Sequence, residues 1–134
     1  MRGELHLWDD SIIAEAAVTD KSVIIRGTDK AKGKVSDGDN AANVIGISQQ
    51  QGPTGNFTSV RRLGVAEVIA AEAMDPGDIV VGAADGKVKK LASVAGSLSN
   101  GDVVNVVGTN ESKADAANDV VEVSLNVYTY TISK

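Results

Sequence analysis

The chain has 134 residues and a formal charge of -5, with 13 Lys plus Arg against 18 Asp plus Glu, a single His and no Cys. That length suits one domain, which buries about two thirds of the surface its unfolded chain exposes, so a core forms without metal or disulfide staples. The lack of Cys excludes disulfide frameworks, thiolate catalysis and Cys-ligated zinc, and the acidic balance argues against a cationic groove for nucleic acid.

No stretch approaches the roughly 20 apolar residues that cross a bilayer, and residues 1–18 carry acidic groups where a signal peptide needs a basic end. The expectation is a soluble, unexported protein with no membrane and no nucleic-acid partner. Apolar residues make up 43% of the chain but aromatics only 3%, and there are 14 Gly. Val, Ile, Leu and Ala must therefore build the core, and the many short Val/Ile runs favour strands joined by tight turns. The predicted class is mainly β, a small barrel-like domain.

Residues 1–19 read as an N-terminal arm. Leu5 and Leu7 alternate, Trp8 is the only Trp, and an Ala- and Ile-rich run follows from Ile12. The segment either closes one end of the core or docks on a partner, and the second possibility makes Leu5, Leu7, Trp8, Ile12 and Ile13 candidate contact residues. A single β domain is expected over 20–134. Its first strand is Val23-Ile24-Ile25, followed by a polar turn region and then Val44 to Ser48, interrupted by Gly46. Residues 49–56 read as an exposed loop and Phe57 to Ala70 as a long strand or bent pair.

The stretch from Gly64 to Val88 combines strand-like runs with a Pro76-Gly77 break and an Asp85-Gly86 turn, which predicts a hairpin. The same order of elements recurs. Val23-Ile24-Ile25, Gly33-Lys34-Val35 and Asn43-Val44-Ile45-Gly46 are echoed by Ile79-Val80-Val81, Gly86-Lys87-Val88 and Asn105-Val106-Val107-Gly108. This predicts quasi-repeats over about 20–70 and 76–127 related by a pseudo-two-fold axis. In the last strand Val121, Val123, Leu125 and Val127 alternate with Glu122, Ser124 and Asn126, a half-buried pattern. Residues 128–134 extend it, to cover a sheet edge or join a neighbouring subunit.

Chemistry is sparse. His6 is the only possible proton relay and no motif surrounds any Ser, so no catalytic residue is assigned. Asp37-Gly38-Asp39-Asn40 lacks the spacing of a calcium loop and reads as a solvated turn. Asp75 and Asp78 read as turn formers around Pro76-Gly77. Arg61 and Arg62, adjacent in a strand, must face opposite sides and cannot share one anion. No metal and no cofactor are expected.

Two resemblances carry functional content. Thr28-Asp29-Lys30-Ala31 resembles the hairpin of lipoyl and biotinyl carrier domains, which implies a modified Lys30 as an alternative reading. Gly64-Val65-Ala66-Glu67-Val68, then Ala73 with Gly77-Asp78-Ile79-Val80-Val81 and Asp85-Gly86-Lys87-Val88, preceded by Val44-Ile45-Gly46-Ile47, resemble the tailed-phage capsid decoration, or cement, proteins. That resemblance implies a β-tulip or similar barrel-like domain, commonly a homotrimer and not an enzyme. It also implies binding to the major capsid protein on the outer surface of the virion, after synthesis in the host cytoplasm.

Overall fold

The computed structural model describes residues 5–29 and 31–133, with side chains from residue 8 onward. The fold is mainly β. Nine strands, β1 (Leu5–Ala14), β2 (Val23–Arg26), β3 (Lys32–Val35), β4 (Val44–Ser48), β5 (Phe57–Ile69), β6 (Ile79–Gly82), β7 (Val88–Lys90), β8 (Val103–Asn110) and β9 (Val120–Thr131), are joined by one short helix, α1 (Leu91–Ala95). The sheet order is β1-β3-β2-β4-β5-β9-β8-β6-β7, and an added β1–β5 pairing closes the first five strands into a barrel.

Residues 5–14 are thus a strand of that barrel and not an arm. β1 pairs antiparallel with β5 from Leu5↔Val65 to Ile13↔Phe57, and parallel with β3 at Ile13↔Lys32 and Ala14↔Gly33. Removing β1 would leave two strand edges bare and open the core, because a barrel exists only while its first and last strands remain paired.

The repeat is present, and it starts earlier than the sequence pattern suggests. The antiparallel bridge Val18↔Gly52 recurs as Met74↔Ala114, shifts of 56 and 62 residues. The Lys21 N–H donates to the Ser48 carbonyl at 3.1 Å as the Gly77 N–H donates to Asn110 at 2.7 Å, and Gly55 N–H to Ala14 is matched by Asn118 N–H to Ala70. Even the side chains agree: Ser48 Oγ donates to the Thr19 carbonyl, and Asn110 Nδ2 donates to the Asp75 carbonyl. These correspondences make β1 the counterpart of the second half of β5, and the first half of β5 the counterpart of β9.

β5 is therefore shared. Its first half is the last strand of the first unit, pairing with β4 at Arg61 and Val60, and its second half, Gly64 to Ile69, is the first strand of the second unit, pairing with β9. Gly64 marks the changeover with φ +115, a conformation that costs Gly little and other residues much. The second unit closes through one parallel bridge, Ala70↔Val88, where the first has the parallel β1–β3 pair. The expected hairpin is formed by β6 and β7 with Asp85 at φ 60 in its turn.

The cores follow the same scheme. Ile12, Ala14, Val18, Ile24, Ile45 and Val60 pack inside the first barrel, and Val68, Ala70, Met74, Val80, Val107 and Val123 hold the matching places in the second. Period-2 alternation places these residues inward on every strand. A third cluster joins Val81, Val104 and Val106 to Val94 of α1, with Leu91, Leu98 and Ile132 packed on it. The sequence reading assigned nothing to α1, which is too short to show a helical period.

Two equivalent glycines fix how closely strands approach. A Cβ on Gly46 would collide with the carbonyl oxygen of Arg61, and one on Gly108 with that of Ser124. Each lies beside a bulge, between Ile24 and Ile25 in one unit and between Val80 and Val81 in the other. The Gly inside each Val/Ile run is thus a point of close backbone approach.

Candidate partner-binding surface

The residues expected to meet a partner separate once β1 is placed in the sheet. Ile12 is 5% exposed and packs in the first core, which corrects its assignment as a contact residue: the inward side of a barrel strand cannot reach a partner. Ile13 is half-buried and paired on both sides, with Lys32 and with Phe57. The side chains of Leu5, His6 and Leu7 lie outside the described residues, as does Lys30. Trp8 is the member of the set presented to solvent, at 51% exposure.

Two consecutive carboxylates and two consecutive guanidinium groups hold the strand that carries Trp8. Arg61 is completely buried and donates from Nε to Asp9 Oδ1 at 3.0 Å and from Nη1 to the Val65 carbonyl at 2.9 Å. One residue further on, Arg62 takes the opposite side, where Nη1 donates to Asp10 Oδ2 at 3.1 Å. The two arginines face opposite sides, as adjacent strand residues must. The sequence left their roles open because their partners lie 52 positions away.

Arg62 has a second role. Its guanidinium lies 4.6 Å from the ring centroid of Trp8, a cation–π contact worth about 0.5–1 kcal/mol at such an exposed site. Trp8, Val44, Ile45, Leu63, Asn126 and Val127, with Arg26 and Arg62, line an open groove of about 370 Å³. Leu63 is 46% exposed and is the cross-strand partner of Trp8. The surface thus offers a rigid aromatic edge and neighbouring aliphatic groups beside two cations. A larger cleft of about 530 Å³ adjoins it and shares Arg26, Ile45 and Arg62, with Asp10, Thr28, Asp29 and Lys32 also on its walls.

These groups can adhere and stack, and nothing among them makes a nucleophile–base pair. Among the described residues no group of three or more His, Asp or Glu gathers to hold a metal. The turn at 37–40 instead joins the two units: Asn40 Nδ2 donates to the Val103 carbonyl at 2.9 Å, and Asn105 N–H donates to Asn40 Oδ1 at 2.8 Å. Asp75 and Asp78 form the expected turn, the Asp75 N–H donating to Asp78 Oδ2 at 2.8 Å.

Among solved structures, the chain is similar to the N base of the head fiber protein gp8.5 of bacteriophage phi29. The TM-score is 0.60 over 89% of this chain and 93% of that one, at 14% sequence identity. The chain has the fold of a phage head-associated protein. No protein-family model matches the sequence, and no curated protein does. At 14% identity the likeness is one of fold.

Proposed function

We propose that this protein is a non-enzymatic structural component of a tailed-phage head, a decoration or cement protein of the β-tulip kind. It binds the major capsid protein on the outer surface of the virion and stabilises the mature lattice. The observation that carries this reading is the likeness over nearly the whole chain to the base of a phage head fiber. The decoration-protein spacing between Gly64 and Val88 supports it independently, since that stretch joins the two units.

The role needs no reactive group. A protein that binds the expanded lattice better than its precursor stabilises the mature state by mass action. Self-association as a homotrimer would multiply modest contacts through effective concentration. Trp8, with Leu63 and the Arg62 guanidinium, is the contact assigned to the capsid protein, since aromatic and Arg anchors dominate interface energies. Neither nucleic acid nor membrane is a partner in this reading.

Co-sedimentation with expanded, undecorated tailed-phage capsids tests it. Binding to expanded and not to unexpanded capsids is expected, weakened roughly tenfold to a hundredfold by Trp8→Ala. No binding to expanded capsids at micromolar protein would overturn it.

A further inference from the structure

β9 changes environment halfway along. Residues 120–125 pair with β5, whereas beyond them, among the described residues, β9 pairs only with β8, from Val106↔Tyr128 to Val103↔Thr131. Asn126 to Thr131 are all exposed. The rings of Tyr128 and Tyr130 stack at 6.3 Å, and these two of the chain's few aromatic side chains are 40% and 43% exposed, with Val127 at 39% and Val103 at 47% beside them. A bare strand edge flanked by exposed aromatic and aliphatic groups is a surface that associates unless something blocks it.

The internal repeat shows that this bareness is not a necessity of the fold. The counterpart of this segment is the second half of β5, which is paired with β9 and keeps Val65, Ala66 and Val68 buried. The continuation of the strand that ends the first unit is covered, and the continuation of the strand that ends the second is open.

Charge identifies the occupant. Residues 123–133 contain no Asp, Glu, Lys or Arg, in a chain that is 23% charged. The other strands with exposed flanks carry charge: Asp9 and Asp10 on β1, Lys32 and Lys34 on β3, Lys89 and Lys90 on β7. At a rotation axis identical side chains meet, so a charged strand would oppose itself and an uncharged one does not. We propose that copies of this chain associate through the β8–β9 ribbon, the Tyr128 and Tyr130 faces meeting their equivalents about the symmetry axis. This rests on the self-association in the functional reading above and supplies its surface.

Sedimentation of the wild-type protein and of the Tyr128→Lys/Tyr130→Lys variant tests it, with Phe57→Lys, 69% exposed on the first barrel, as control. The wild type and the control should sediment as one oligomer, and the Tyr variant as a monomer, its association weakened roughly 100-fold or more. A second variant guards against misfolding. In this Cys-free chain, Tyr130→Cys should give a disulfide-linked dimer on mild oxidation, and Phe57→Cys should not. A monomeric wild type overturns self-association itself. An oligomer that survives the Tyr substitutions and does not cross-link at position 130 overturns the ribbon alone. Binding of the wild type to capsids, measured separately, reports on the functional reading independently of either result.

Discussion

Arg61 of β5 is completely buried, yet its Nε reaches Asp9 of β1 at 3.0 Å, so the strand that closes the first barrel is fastened to β5 by a buried cation. Leaving a buried charge without its partner costs about 3–5 kcal/mol. Asp9 is about 30% exposed, which puts this pair near the lower limit. Asp9→Ala should lower stability by about 3 kcal/mol in urea titration, and Asp10→Ala, which removes the ion pair of the more exposed Arg62, by under about 1 kcal/mol. Equal losses from the two would show that Arg61 is not the more dependent cation.

The equivalence of Gly46 and Gly108 makes a paired prediction. Each lacks room for a Cβ because a backbone carbonyl of the next strand stands in its place, and a strand cannot shift as an end of a side chain can. Gly46→Ala and Gly108→Ala should each destabilise by about 3 kcal/mol or more. Gly38→Ala, which meets nothing within 4 Å, should stay within about 0.5 kcal/mol of wild type. A tolerated Ala at either site would refute the close approach there.

Glu122 of β9 is 2% exposed, neither carboxylate oxygen has a hydrogen-bond partner among the described residues, and it sits opposite Glu67 across the β5–β9 pair. A buried, unsatisfied carboxylate facing a like charge opposes folding. Glu122→Gln, which keeps the shape and removes the charge, should raise stability by about 1 kcal/mol at neutral pH, read as a higher midpoint in urea. An unchanged or lower midpoint would mean that the carboxylate has a stabilising role.

Glu15 is held below the ordinary carboxylate range, first by the hydroxyl of Thr28 and then by its backbone N–H; desolvation opposes them, and Lys34 and Lys32 add weaker attraction. A lowered folded value means that this group stabilises the fold above the unfolded glutamate range and loses that contribution as pH falls through the folded value. NMR titration should show Glu15 titrating at lower pH than an ordinary Glu, and Thr28→Val should move it back up. No movement in that variant would remove the hydroxyl as the main cause.

Much of the fold was legible in local pattern. Val and Ile alternation, the Asp85-Gly86 turn and the duplicated Asn-Val-Ile-Gly and Asn-Val-Val-Gly runs gave a mainly β chain built twice, because side-chain period and turn chemistry are properties of neighbouring residues. Pairing between distant residues is not such a property. That β1 closes a barrel, that β5 serves two units with Gly64 at the change, and that Ile12 faces inward all follow from contacts across about 50 positions. The same distance hid the partners of Arg61 and Arg62 and the burial of Glu122, whose alternating position marks it for solvent although β9 is buried on both faces from Val121 to Val123. Composition set the absence of thiol chemistry and a core built mainly of Val, Ile, Leu and Ala; only the folded arrangement determined that Trp8, Tyr128 and Tyr130 stand outside it, because exposure depends on which strands lie beside them.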